Sequence, residues 1–174
     1  MARKTIKIDL FDGKSLDNAI KQIQEYQRTL NDKCEMFVRR LAEVGIPIID
    51  QNIDSAAGDS DKGHNTYIKI NSFGSYSQAQ LIVEGKDLLF IEFGAGVHYN
   101  GNLGGSSHPK GKEMGYTIGS YGKGQGKNDF WFYYADSGEA VMSHGTQATM
   151  PVYKAGVEIR RQILKIAREM FGGD

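Results

Sequence analysis

The sequence predicts an α+β fold, in which an antiparallel sheet packs against a long N-terminal amphipathic helix and a C-terminal helix. Near both ends of the chain, apolar residues recur three and four positions apart, as they do on one face of a helix. Between these regions, three short β-like runs follow one another closely, namely TYIKIN, QAQLIVEG and LLFIEFG. Such spacing is typical of an antiparallel meander. The 174 residues suit one domain, and no internal repeat or second core interrupts them.

The first predicted helix covers Leu16–Val44, after a strand expected over residues 6–10. Ser15 is its expected N-cap, and the helix is expected to end near Gly45, with Pro47 just beyond. A short second helix is expected over 46–57, because isoleucines there are four apart. The apolar stripe of the first helix consists of Leu16, Ile20, Ile23, Leu30, Cys34, Phe37, Val38 and Leu41.

A glycine-rich segment over residues 94–129 interrupts this pattern, with 11 of the 22 glycines of the chain. We expect a flexible insertion within the single domain 1–174, with a brief strand at Tyr116–Ile118. Loops of this length are uncommon in compact domains unless they are functional or ordered by a partner. The glycine spacing does not match a phosphate-binding loop, since Tyr121 stands where such a loop requires glycine.

A strand of five aromatic residues follows, and Ala140–Met142 is its expected hairpin partner. A strand that is apolar on both faces needs two covers, either a neighbouring subunit on one face or two helices of its own chain. Large aromatic side chains are enriched at protein interfaces, so we take these residues as a candidate interface with another subunit. They are Phe130, Trp131, Phe132, Tyr133 and Tyr134.

The last predicted helix begins at Pro151 and carries five basic against two acidic residues. Its basic face is either a solvated surface or a second candidate interface, to an acidic partner or to DNA. The residues of this face are Arg160, Arg161, Lys165 and Arg168.

Composition excludes several classes of function. The 21 basic and 21 acidic residues give a net charge of zero, which argues against a strong nucleic-acid or membrane-surface binder. A single cysteine excludes an internal disulfide framework and fits a reducing cytoplasm. No apolar run approaches a membrane span, and the polar start is unlike a signal peptide.

No motif for catalysis, cofactor or metal stands out, so we expect no enzyme, no cofactor and no metal. His98, Asn100 and His108 resemble a metal-nuclease set only weakly, since the loop around them lacks a metal-binding carboxylate. Glu84 and Glu92 are either a catalytic pair or, more often for such positions, cross-strand or capping partners.

Two segments, Leu88–Gly96 and Ser143–Ala155, resemble the head–tail joining proteins of long-tailed phages, also described as tail completion, neck or minor capsid proteins. In that family, a strand ends in a Glu-aromatic-Gly turn, and a His-Gly-Thr-x-Ala-x-Pro segment leads into a final helix. About 48 residues separate Gly96 from Gly145 here, where the family often has a short linker. The matching positions are Glu92, Phe93, Gly94, His144, Gly145, Thr146 and Pro151.

The resemblance implies a non-catalytic structural subunit that assembles with copies of itself into a ring at the neck of the virion. Its implied neighbours are the portal-side connector and the tail tube or terminator proteins, with no membrane and at most non-specific contact with DNA in the lumen. The implied location is the virion, after assembly in the cytoplasm of the bacterial host. Two alternatives stay open: a tail terminator or other minor capsid component, and a small nucleic-acid-binding regulator that uses the basic helix.

Overall fold

The computed structural model of the chain describes residues 5–9, 11–58, 60–74, 76–94, 107–115, 130–135 and 137–172, with the backbone alone at Trp131. Within these residues the chain forms helices and two antiparallel two-stranded sheets, which confirms the α+β class. The elements are α1 (Gly13–Asp54), β1 (His64–Ser72), β2 (Ser77–Gly85), α2 (Leu88–Phe93), β3 (Trp131–Tyr134), β4 (Ala140–Ser143) and α3 (Pro151–Phe171).

Helix α1 runs without a break over 42 residues, so the predicted end near Gly45 and the separate second helix are wrong. Gly45 is buried inside the helix, and a Cβ there would overlap Leu81 of β2 and lie 3.1 Å from Cδ1 of Ile159 on α3. Glycine therefore lets three elements approach each other at this point rather than ending the helix.

Pro47 also lies inside α1, where its ring nitrogen cannot donate to the carbonyl of Glu43. The side chain is exposed, so replacing it leaves the core unchanged. We expect Pro47→Ala to raise the free energy of unfolding by about 1–2 kcal/mol, because alanine restores the helical hydrogen bond. Urea denaturation measures this change, and Gln51→Ala on the same helix, expected within about 0.5 kcal/mol, is the control. A less stable Pro47→Ala protein would contradict the expectation.

The helix begins differently from the prediction. Asp12 is the N-cap and accepts the backbone N–H of Lys14 at 3.0 Å, whereas Ser15 Oγ accepts the backbone N–H of Asp9 at 2.9 Å. Residues 5–9 form no strand, and Asp9 instead closes a local turn by accepting the N–H of Phe11. These local bonds fold the chain back at the start of α1, so the predicted strand over 6–10 is wrong for its described residues.

Strands β1 and β2 form a hairpin that lies along α1, with His64 opposite Gly85 and Ser72 opposite Ser77. At its tip, Ser72 Oγ donates to Glu35 at 2.7 Å and Asn31 Nδ2 donates to the carbonyl of Gly74 at 2.6 Å. The hydrogen bond from Ser72, followed by one from Arg39, lowers the pKa of the Glu35 carboxyl. These side chains fasten the hairpin tip to the middle of α1.

The third predicted β-run is helix α2, so the three-stranded meander is wrong. Asp87 is the N-cap, and Gly94, with φ 82°, follows the last helical residue. Leu88 and Ile91, three residues apart, both pack into the core, which a helix permits and a strand with alternating faces does not.

Helix α3 packs antiparallel to α1. Lys154 Nζ donates to Asn52 at 2.7 Å near one end of the pair, and the rings of Phe171 and Phe37 lie 5.5 Å apart near the other. The predicted start at Pro151 is confirmed, and the helix ends at Phe171 before Gly172. The buried core cluster consists of Ile49, Ile53, Ala56, Ile91 and Ala155, and Leu81 and Val83 of β2 pack against it. None of the described helices is both long and apolar enough to cross a bilayer.

Part of the glycine-rich insertion is described. Residues 107–115 form consecutive turns in which His108 and Gly111 are buried. Residues 95–106 and 116–129, including the predicted strand Tyr116–Ile118, lie outside the described residues.

Candidate functional site

The two segments that carry the family resemblance lie against each other. The backbone N–H of Thr149 donates to the carbonyl of Ile91 at 2.9 Å, which joins the segment before α3 to α2. A Cβ at Gly94 would sit 3.4 Å from that of Ala148, so the glycine at the end of α2 also permits this close approach. Residues some 50 positions apart in the sequence therefore form one structural unit.

At the centre of this unit, Glu92 is buried and holds the start of α3. Its Oε2 accepts the backbone N–H of Val152 at 2.8 Å, and its Oε1 accepts that of Tyr153 at 3.0 Å. His108 Nε2 lies 2.9 Å from Oε1, so the same carboxylate also binds the described part of the insertion. We call Glu92, His108 and the helix start Pro151–Tyr153 the α2–α3 junction.

The residue before α3 explains why the helix needs this carboxylate. Met150 occupies the N-cap position with φ 56° and ψ 49°, a left-handed conformation that is uncommon for a residue with a side chain. Its thioether makes no capping hydrogen bond, so the first N–H groups of α3 lack a local acceptor. Glu92 supplies one from another helix, and its negative charge also interacts favourably with the helix dipole.

The hydrogen bonds of the junction fix the tautomer of its histidine. The backbone N–H of Lys110 donates to His108 Nδ1 at 3.0 Å, so Nε2 carries the ring proton and donates it to Glu92. Both ring nitrogens and both carboxylate oxygens are therefore engaged. Glu84 is exposed on β2, where it accepts the hydroxyl proton of Tyr67 at 2.9 Å. For both glutamates, the contacts are those of the capping and cross-strand interpretation.

An open, mainly apolar cleft of about 680 Å³ lies beside the junction. The aromatic rings of Phe93 and Tyr153 pack against His108, at ring-centre distances of 4.5 Å and 5.1 Å. The other walls of the cleft are formed by β2, α2 and residues 110–114. Packing around the histidine thus fixes one wall of the cleft.

The remaining motif residues connect β4 to the end of α1. Thr146 is buried and pairs with Gly58 through an isolated β-bridge, and its hydroxyl contacts that of Ser60. Gly145 adopts φ 95°, and the exposed His144 ring lies 6.4 Å from that of Phe130. Thr146 and Gly145 thus anchor the junction to the segment that follows α1, whereas His144 faces the aromatic strand.

The aromatic strand and its partner form a two-stranded ribbon, which we call the aromatic ribbon (β3 and β4, with Phe130). Trp131 pairs with Ser143 and Tyr134 with Ala140, which confirms the predicted hairpin. The side chain of Trp131 lies outside the described residues. Among the described strands, β3 pairs with β4 alone. Phe132 is 61% and Tyr134 79% exposed, and Phe130 and Tyr133 are also exposed.

The basic residues of α3 are exposed, as predicted, but they do not form one uniform face. Arg161, Lys165 and Arg168 follow one another at four and three residues along one side, where Glu158 binds Arg161 at 3.0 Å. Arg160 lies further round the helix, one turn before the exposed Leu164. Part of the positive charge is therefore neutralised within the helix.

No group of three potential metal-ligating side chains occurs within the described ranges. His98 and Asn100, of the weak metal-nuclease set, lie outside them, and His108 has the partners given above. Comparison of the chain with protein-family models, curated proteins and solved structures gives no match.

Proposed function

We propose that this protein is a structural subunit that joins the DNA-filled head of a tailed phage to its tail, within a ring at the neck. The observation that carries the proposal is the aromatic ribbon, where several large aromatic side chains lie exposed together. Monomeric proteins rarely expose contiguous apolar surface of this kind unless it binds a partner. In this proposal, neighbouring subunits or the portal-side connector cover the ribbon.

The resemblance in sequence gives the proposal its context. The two motif segments meet at the α2–α3 junction, which is what a shared structural motif requires. Glu92 and Pro151 take part directly, and Gly94 allows the close approach of the two segments. The remaining implied partners are the tail tube or terminator proteins, and the implied location is the virion.

Deletion of the gene from the parent phage or prophage tests this function. Electron microscopy of the lysate is expected to show DNA-filled heads beside free tails of normal length. Intact virions would exclude a joining role and would favour the nucleic-acid-binding regulator. Tails of uncontrolled length would assign the protein to tail termination instead.

The ribbon itself is tested by complementing the deletion with the double variant Phe132→Ser/Tyr134→Ser. We expect normal folding, because exposed substitutions change stability by about 0.5 kcal/mol or less. We also expect the yield of joined virions to fall by at least about tenfold, since aromatic residues dominate interface energies. Met36→Ser, which removes an exposed apolar side chain from α1, is the matched control. A normal virion yield from the double variant would contradict the role of the ribbon.

A further inference from the structure

The apolar stripe of α1 has a seven-residue repeat. Two series of positions, alternating three and four residues apart, lie along one side of the helix, which is the a/d pattern of a coiled coil. The first series, the d positions, is Leu16, Ile23, Leu30 and Phe37. The second series, the a positions, is Ile20, Gln27, Cys34 and Leu41. We call the part of this stripe from Leu16 to Cys34 the open seam.

Helix α3 covers only the continuation of the stripe. Phe37 packs against Phe171, the last residue of α3, and the tip of the β1–β2 hairpin reaches α1 at Asn31. Towards the N-terminus, Leu16, Ile20 and Ile23 are 49%, 45% and 52% exposed. The open seam therefore extends an interface between two helices beyond the point where the second helix ends.

We propose that a second copy of this chain binds the open seam, with its α1 antiparallel to the first. A register with Ile23 of one copy beside Gln27 of the other places a positions against d positions throughout. The outer layers are then Ile20 with Leu30 and Leu16 with Cys34, each occurring twice by the two-fold symmetry. This inference concerns a different surface from the aromatic ribbon and goes beyond the proposed function.

The antiparallel direction follows from where the rest of the chain lies. The hairpin tip and the end of α3 flank the stripe from Asn31 onwards, so a parallel pair would bring both folded bodies to the same level. The antiparallel pair places them at opposite ends. The N-terminal half of each α1 then packs on the apolar stripe of the partner's α1. This packing extends as far as the level where the partner's α3 begins to cover that stripe.

The charges beside the open seam are compatible with this register. Asp17 of one copy lies at the level of Asn31 of the other, and Gln24 meets its own copy, while Ala19 is already buried within its own chain. No two like charges are opposed. The polar Gln27 lowers the stability of the pair but favours this register, as polar residues at a positions do.

The open seam spans 19 residues, or about 27 Å of helix, so we expect reversible association. Sedimentation of the full chain between about 1 and 100 μM tests it and is expected to show a monomer–dimer equilibrium. Ile23→Glu is expected to raise the dissociation constant at least about 100-fold, because each dimer then contains two charges at its centre. Asn18→Glu, on the opposite side of α1, is the control, expected within about threefold.

A second variant keeps the test independent of any damage caused by a new charge. Gln27→Leu replaces the polar residue of the seam and is expected to tighten association at least about tenfold. Circular dichroism of each variant checks that α1 stays helical. A wild-type protein that is monomeric throughout, or an Ile23→Glu variant that associates normally, would overturn the proposal.

The native cysteine reports the direction of the pair. In the antiparallel register, Cys34 lies opposite Leu16 of the partner, so a short bis-maleimide is expected to link Leu16→Cys chains and not the wild type. Asn18→Cys, which faces away from the seam, is the control. Efficient linkage of wild-type chains through Cys34 would indicate a parallel pair and overturn the proposed arrangement.

Discussion

Replacing Glu92 with glutamine is expected to lower the free energy of unfolding by about 2–3 kcal/mol, although the two side chains have nearly the same shape. Three donors point at this carboxylate: the N–H groups of Val152 and Tyr153, and Nε2 of His108. Glutamine keeps one acceptor oxygen, and its NH₂ group must then face at least one N–H. The buried donor left without an acceptor accounts for most of the loss.

Chemical denaturation measures the effect of Glu92→Gln, and Glu84→Gln is the matched control. Glu84 lies on the wall of the same cleft but is exposed, and an amide oxygen still accepts the hydrogen bond from Tyr67. We therefore expect a change within about 0.5 kcal/mol for the control. Equal stability of the two variants would show that α3 does not depend on Glu92 for its start.

Hydrogen exchange distinguishes a local from a global effect of Glu92→Gln. If the carboxylate caps α3, amide protection falls most in the first turn of that helix and around His108. At the far end of α3, where Phe171 packs on Phe37, amide protection falls only by the amount that the global loss of stability explains. Uniform loss of protection along α3 would contradict a capping role.

The helices near both ends of the chain were predictable because their apolar faces repeat over many turns. The start of α3 at Pro151 was predictable as well, but the boundaries of α1 were not. Gly45 and Pro47 are the usual signals that end a helix, yet Gly45 serves the approach of Leu81 and Ile159, which come from other parts of the chain. Signals of this kind are local in sequence, whereas their meaning here depends on tertiary packing.

The short run LLFIEFG illustrates a second limit of prediction. A mainly apolar run of seven residues fits a buried strand and a helix equally well, because it is too short to show a period. The structure forms a helix, in which Ile91, Glu92 and Phe93 are consecutive buried residues. A strand would have pointed the middle one of these to the opposite face.

The junction was predictable only in part. The interpretation of Glu92 as a capping partner was available from sequence, but its target lies 60 residues away, at Val152 and Tyr153. The partnership with His108 had no local signal at all. The β3–β4 hairpin, by contrast, was apparent from its turn and its aromatic residues, since both signals lie within about 15 positions.

Gly58→Ala is expected to lower the free energy of unfolding by about 3 kcal/mol or more, which is a larger loss than that expected for Glu92→Gln. Gly58 has φ 113°, a conformation that costs a residue with a Cβ roughly 1–2 kcal/mol or more. A Cβ would also overlap the carbonyl oxygen of Gly145 and lie 2.9 Å from the Cα of Thr146. Both are backbone atoms that cannot move aside independently, and such overpacking typically costs a further 1–3 kcal/mol or so.

Gly74→Ala separates the two contributions. Gly74 also has a positive φ, 57°, but nothing lies within 4 Å of a Cβ at that position. We therefore expect Gly74→Ala to lower the free energy of unfolding only by the conformational cost of the positive φ, about 1 kcal/mol. If urea denaturation shows the same loss of stability for both variants, the backbone at the bridge between Gly58 and Thr146 moves apart without a measurable loss. The segment before α3 is then not held firmly to the residues that follow α1. If Gly58→Ala loses at least about 2 kcal/mol more, close contact at this bridge holds the segment before α3, and with it the α2–α3 junction, against the end of the long helix.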